Sequence, residues 1–171
     1  MLLLILFIVK MANGLQKSIW RGRIYRYAPL FLWIAVVLFA STSEGAMQNT
    51  SRFIRPFLIF LFPNAPEETI AIYHGFIRKL AHLSEYAILA FWAVRAFSTS
   101  SVKILQKYRF MFSFGLVLVV ATIDEYNQSF NSLRTGSIYD VLLDASGGLL
   151  MLIILRVWTV LRGNRVKNNS Y

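Results

Sequence analysis

Residues 27–43 read YAPLFLWIAVVLFASTS, and no charged side chain interrupts them. A helix needs about 20 mostly apolar residues to cross the roughly 30 Å of hydrocarbon in a bilayer, and this stretch comes close to that length. Pro29 falls in the first turn, where its missing N–H costs little, and Tyr27 and Trp33 suit the membrane interface. The stretch therefore predicts a first transmembrane helix.

The composition of the whole chain extends this prediction beyond one helix. Of its 171 residues, 57% are hydrophobic and 15% are charged, so one small soluble core cannot bury the apolar surface. The absence of cysteine excludes structural disulfides and thiolate metal sites. The formal net charge of +10 would suit nucleic acid, but no basic and aromatic motif of a nucleic-acid-binding fold is present. We expect the lipid bilayer as a partner and no nucleic acid.

Three further apolar segments predict membrane helices, but each contains or borders charged residues. They cover residues 76–97, 110–123 and 138–157. Charged groups are costly in hydrocarbon, and those that membrane helices do carry commonly mark functional sites. The sequence therefore predicts an all-α polytopic membrane protein, built as a four-transmembrane-helix bundle.

Lysine and arginine are distributed asymmetrically around these four helices. They are concentrated in the N-terminal segment, between the second and third helices and in the C-terminal tail, whereas all eight carboxylates fall on the other side. Cationic residues that flank short loops are retained in the cytoplasm. The pattern predicts a multi-pass protein with both termini inside.

The two ends of the chain are predicted to lie outside the bundle. Residues 1–26 form a cytoplasmic N-terminal segment with an apolar leader, and residues 159–171 form a basic cytoplasmic tail. The leader, residues 1–9, is too short to cross a bilayer, and Met11 is an alternative start.

The long outer loop is predicted to contain an interfacial helix. Its segment RFIRPFLIFLFP, residues 52–63, is apolar but too short to span. After it, Asn64 is expected to cap a helix that opens at Pro66, and His74 is expected to face solvent.

Helical spacing gathers polar side chains at the outer ends of three predicted helices. Side chains three or four residues apart share a helix face, as do Arg78, His82 and Glu85, or Asp140 and Asp144. Lipid cannot satisfy these groups, so they are expected to face each other or a polar crevice. The candidate catalytic residues are His82, Glu85, Asp124, Glu125, Gln128, Asp140 and Asp144. The candidate substrate-binding residues are Arg78, Lys79, Tyr86 and Arg134.

Two of these stretches carry a family resemblance: RKLAHLSEYAILAF at residues 78–91 and DEYNQSFNSLRTGSIYDVLLDASGGLL at residues 124–150. They resemble the VanZ-like membrane proteins, which pair a His-and-Tyr helix with an Asp-Glu-x-x-Gln helix end, an Arg-bearing loop and an Asp-rich helix ending in glycines. The resemblance covers residues 27–156, and it delimits a VanZ-like domain of residues 27–158.

The resemblance implies a place in the bacterial cytoplasmic (inner) membrane and the cell envelope. It also implies a link to antibiotic resistance of the glycopeptide (teicoplanin) type. It supplies no substrate, reaction or cofactor. Arg78-Lys79 replaces the Asp-Lys pair of many members, which removes any role for an acid at position 78.

Three hypotheses for the polar cluster remain open at the level of sequence. The cluster is a structural network that pairs helices, a site that binds or processes a lipid-linked cell-wall precursor or a phospholipid, or part of a small transporter. In the site hypothesis, the cations bind phosphate and a carboxylate acts as base. Because all three hypotheses are open, whether the protein is an enzyme is undecided. His82 with nearby carboxylates is also a possible metal site, although one histidine is a weak indication.

Overall fold

The computed structural model describes residues 22–42, 47–129 and 137–168, apart from the side chains of residues 47–50 and 163–168. The described residues form helices joined by short connections and contain no strand, which confirms the all-α prediction for them. The helices are α1 (Gly22–Ala40), α2 (Met47–Leu61), α3 (Glu67–Ser98), α4 (Lys103–Lys107), α5 (Arg109–Ser129) and α6 (Ile138–Asn168).

Three of these helices are long and apolar enough to cross a membrane: Gly22–Ala40, Arg109–Ser129 and the part of α6 from Ile138 to Arg162. Large apolar side chains cover their outer surfaces, including Phe31 at 65% exposure and Leu142 at 60%. Exposed apolar area of this extent indicates contact with lipid. The chain is therefore a helical membrane protein.

Helix α3 has 32 residues and is not among those three helices, because polar side chains such as His82, Glu85 and Arg95 interrupt its apolar stretch. It begins well before the predicted segment 76–97. Two acidic residues in its first turn favour this start, since negative charge is stabilised at a helix N-terminus.

The prediction that Asn64 caps this helix is wrong. The capping position is occupied by Pro66, and no side chain there bonds the first turn. Asn64 lies instead in a turn that is closed by the N–H of Ala65 donating to the carbonyl of Phe62. This turn ends before the first helical residue, so Asn64 is used to reverse the chain.

Helix α2 confirms that the segment between the first two predicted membrane helices contains a helix, whereas its place outside the membrane and at an interface remains a prediction. It is joined to the start of α3 by an exposed ion pair between Arg55 and Glu67, at 2.7 Å. Ser51 of α2 and His74 of α3 form a hydrogen bond of 3.3 Å. His74 is only 9% exposed, so the prediction that it faces solvent is wrong. Helix α2 covers that face of α3.

Hydrogen bonds between helices set the direction of α1. The hydroxyl of Tyr27, early in α1, donates to Ser100 just beyond the end of α3, at 2.7 Å. The hydroxyl of Ser41, just beyond the end of α1, donates to the backbone carbonyl of Asp124 near the end of α5, at 3.3 Å. Helix α1 is therefore antiparallel to α3 and parallel to α5.

Two glycines allow α6 to pack closely against its neighbours. A Cβ atom on Gly147 would lie 2.3 Å from the backbone oxygen of Leu83 in α3. A Cβ atom on Gly148 would lie 2.7 Å from the side chain of Val117 in α5. Such distances exclude any larger residue without movement, so the glycines fix how near α6 comes to both helices.

Candidate functional site

The close packing of α3, α5 and α6 brings together three potential ligand-bearing side chains, one from each helix. His82, Asp124 and Asp144 each offer a ligand atom, and these atoms lie within 4.8 Å of one another. Asp144 precedes Gly147 by one helical turn and shares its face, so the backbone contact at Leu83 places Asp144 beside His82. Three helices converge at this cluster as the sequence predicts.

Asp124 is held in place by hydrogen bonds from two other helices. It is 2% exposed, and the hydroxyl of Tyr86 in α3 donates to its Oδ2 atom at 3.0 Å. Ser41 binds its backbone carbonyl from the end of α1. The second carboxylate oxygen, Oδ1, is buried and has no hydrogen-bond partner among the described residues. One oxygen of Asp124 is thus fixed and the other is available.

Among the described ion pairs, Asp144 takes part in one, and its partner is His82. Its Oδ1 atom lies 3.5 Å from Nδ1 of His82, and Asp144 is 1% exposed. Within the part of the chain that the structure describes, neither carboxylate oxygen has a hydrogen-bond partner. The two groups are therefore close enough for an ion pair, but they are not aligned for a hydrogen bond.

Glu125 and Gln128 are also buried at the end of α5, at 6% and 3% exposure. Oε2 of Glu125 accepts a hydrogen bond of 3.0 Å from the backbone N–H of Ser137, one residue before α6. Glu125 thus ties the end of α5 to the start of α6. The Nε2 atom of Gln128 has no hydrogen-bond partner in the described segments.

The other candidates lie around this buried group or outside the described residues. Arg78, Glu85 and Asp140 are partly buried, and Lys79 is exposed. Arg134 lies in the undescribed segment between α5 and α6, so its predicted place beside the cluster stays a prediction. The catalytic and substrate-binding roles assigned from the sequence likewise stay predictions.

Residues of α1 contribute to the site in a way that the sequence did not indicate. The indole N–H of Trp33 donates to the backbone carbonyl of Glu85 at 2.9 Å, and Ser41 bonds Asp124 as described above. Trp33 was assigned to the membrane interface, and Ser41 was only the end of an apolar run. A hydroxyl next to such a run is a weak signal that a hydrogen-bond partner lies nearby.

Access to the cluster is limited to its edge. The His82 side chain is 19% exposed, whereas that of Asp144 behind it is 1% exposed. The apolar cavity of about 460 Å³ between α5 and α6 lies towards the opposite end of both helices, where it is lined by Phe110 and Arg156. A molecule that reaches the cluster would therefore meet His82 first.

The helices long enough to cross a membrane enclose a buried group of carboxylates and an imidazole. This arrangement defines a polytopic membrane protein with a polar centre. The model of the VanZ/LLP1 family matches residues 26–159, and the chain belongs to this family. This range contains every residue of the cluster. Searches among curated proteins and among solved structures gave no significant match.

Proposed function

We propose that the chain is a VanZ-like protein of the bacterial inner membrane, with four transmembrane helices and both termini in the cytoplasm. α3 is the fourth of these helices. At about 1.5 Å per residue, a helix of this length exceeds the hydrocarbon thickness. Its direction opposite to α1 and the cationic residues that follow it favour this arrangement.

The polar cluster of this protein binds the headgroup of a phosphate-bearing envelope lipid, either a phospholipid or a lipid-linked cell-wall precursor. The observation that carries this proposal is the burial of Asp124 and Asp144 with carboxylate oxygens that lack hydrogen bonds. Buried acceptors of this kind are costly unless a ligand donates to them, as a hydroxyl or ammonium group of a lipid headgroup would. Arg78, Lys79 and Arg134 supply cations for the phosphate.

Processing of the bound lipid would use His82 as the proton acceptor. This imidazole is the most exposed member of the central group, and Asp144 lies behind its Nδ1 atom at 3.5 Å. A base that a buried carboxylate orients is a recurring arrangement in proton-transfer sites. The reaction would then take place at the outer leaflet.

Lipid binding is best tested on protein purified in detergent, by native mass spectrometry with two separate ligands. One is an anionic phospholipid and the other is a polyprenyl diphosphate, so the experiment separates the two lipid classes. We expect Arg78→Gln to lose at least about tenfold in affinity for the preferred lipid, as the loss of a charge-assisted contact costs 1.5–3 kcal/mol. Equal, weak retention of both lipids by the wild type and this variant would contradict the proposal.

A link to teicoplanin resistance follows from the family and is tested separately. Expression of the chain in a susceptible bacterial host should raise the teicoplanin concentration needed to stop growth. The comparison is with the same host carrying the Asp144→Asn variant at an equal protein level. No difference between these hosts would exclude this role for the cluster.

A second candidate is an accessory membrane protein in which the cluster only pairs helices. The hydrogen bond from Tyr86 to Asp124 joins α3 to α5, and the contact between His82 and Asp144 joins α3 to α6, which favours this alternative. This alternative does not explain why carboxylate oxygens of Asp124 and Asp144 lack hydrogen-bond partners among the described residues.

A further inference from the structure

We propose that His82, Asp124 and Asp144 bind a divalent transition-metal ion, Zn²⁺ or Mn²⁺, at the centre of the polar cluster. The proposal goes beyond the binding of a lipid and does not depend on it, but an ion bound at His82 would replace the role of this imidazole as proton acceptor. It rests on the separation of the ligand atoms, on the unpartnered carboxylate oxygens and on the hydrogen bond that Tyr86 makes.

The separation of the ligand atoms is the first support. Nδ1 of His82 and Oδ1 of Asp144 are 3.5 Å apart and are not hydrogen-bonded. Two ligands of one tetrahedral ion, each about 2.0–2.2 Å from the metal, lie roughly 3.3–3.6 Å apart. A ligand atom of Asp124 lies within 4.8 Å of both, so a small side-chain movement completes the set.

The unpartnered oxygens are the second support. Oδ1 of Asp124 and both carboxylate oxygens of Asp144 are buried and receive no hydrogen bond from residues 22–42, 47–129 or 137–168, and the two residues are 2% and 1% exposed. An ion between these carboxylates would satisfy the oxygens and compensate both charges. A cluster that only paired helices would be expected to use these oxygens in hydrogen bonds.

Tyr86 supplies the third support. It donates to Oδ2 of Asp124 and leaves Oδ1 open. Carboxylates that bind metals are commonly held this way, with one oxygen on the ion and the other fixed by a neighbouring donor. Tyr86 is 0% exposed, so it is placed to orient Asp124 and not to meet solvent.

The donor set selects the kind of metal. One imidazole nitrogen with two carboxylates suits Zn²⁺ or Mn²⁺, whereas Ca²⁺ and Mg²⁺ prefer oxygen alone. Three protein ligands are also the number typical of sites that keep a position open for water or substrate. The partial exposure of His82 places such an open position at the edge of the cluster.

Metal content decides the proposal. Full-length protein, purified in detergent without a histidine tag, is stripped with a chelator and dialysed against Zn²⁺ or Mn²⁺, and bound metal is measured by mass spectrometry. We expect one ion per chain in the wild type and a melting temperature that rises with metal. His82→Gln and Asp144→Asn should lose the ion. Tyr86→Phe should bind about 10- to 100-fold more weakly, as expected for a residue that orients a ligand.

The chain provides a matched control, because it has two histidines and His74 lies outside the cluster. His74→Gln should retain the wild-type metal content. The proposal is overturned if the wild type binds neither ion in stoichiometric amount, or if folded His82→Gln binds as much as His74→Gln. If His82→Gln does not fold, the test rests on the number of metal ions bound per wild-type chain and on the metal affinity of Tyr86→Phe. Lipid binding without metal binding would overturn this inference and leave the proposed function intact.

Discussion

The two oxygens of Asp124 have different surroundings, and this difference separates the hypotheses for the cluster. Oδ2 receives the hydroxyl of Tyr86, and Oδ1 has no partner. In Asp124→Asn the amide oxygen can still accept from Tyr86, while the amide nitrogen replaces Oδ1. The substitution therefore removes the charge and the free acceptor but retains the bond between α3 and α5.

If the chain confers the proposed teicoplanin resistance, we expect Asp124→Asn to abolish it while the protein level and thermal stability change little. Glu68→Gln is the control, since Glu68 is exposed, whereas Glu67 forms an ion pair with Arg55. In a structural network that depends on the charge of Asp124 as well as on its bond to Tyr86, removing that charge costs about 3–5 kcal/mol. A matching fall in protein level and activity would favour that network, and a stable, active Asp124→Asn protein would exclude a role for its charge.

At the scale of the helix, the contact of α6 with α3 depends on the missing side chain of Gly147. An added Cβ would meet backbone, which cannot rotate away as a side chain can. We expect Gly147→Ala to lower the stability in detergent by about 1–3 kcal/mol, the usual cost of overpacking. Asp144 would move away from His82 at the same time.

The matched control for this substitution is Gly115→Ala in α5. No atom lies within 4 Å of the position its Cβ would take, so its melting temperature should be unchanged or slightly higher. Equal melting temperatures for the two alanine variants would contradict the close approach at Leu83.

Helix α1 is held against α3 partly by the indole of Trp33. Trp33→Phe retains an aromatic ring but removes the donor to the carbonyl of Glu85. We expect a loss of about 0.5–1.5 kcal/mol, the usual net contribution of a hydrogen bond. Thermal unfolding measures it, with Phe31→Leu on the exposed face as the control. A melting temperature for Trp33→Phe no lower than the control's would show that the bond adds nothing.

At the scale of the whole molecule, the number of membrane crossings depends on α3. A reporter placed after Asn64, in the exposed turn before α3, should be outside, and one after Ser101, just beyond its end, should be inside. The expectation follows from the cationic residues that flank the inner connection. The location of each site is measured with one reporter that is active only in the cytoplasm and a second that is active only outside. The same location for both sites would exclude four crossings.

The sequence predicts the membrane helices well because hydrophobicity alone decides where they lie. The apolar runs after Tyr27, Phe110 and Ile138 each correspond to a helix of the structure. The cluster was also predictable, because spacing of three and four residues puts His82 with Glu85 and Asp140 with Asp144 on common helix faces.

Contacts between helices that are distant in sequence could not be predicted in this way. Nothing in the apolar run around Trp33 indicates that its indole reaches the backbone of Glu85, since this contact depends on how α1 packs. His74 was expected in solvent because the cover provided by α2 is a tertiary contact. The short helix α4 has too few residues for a periodic pattern.

The division of the cluster among three helices also determines how the chain enters the bilayer. Helix α1 is apolar enough to insert alone, whereas α5 carries Asp124 near its end and α6 carries Asp144 near its start, and carboxylates in hydrocarbon are costly. Asp124 is synthesised before Asp144, so we expect α3 and α5 to become stable in the bilayer only once α6 packs against them. A chain truncated after Ser129 would offer His82 and Asp124 to lipid without their third partner.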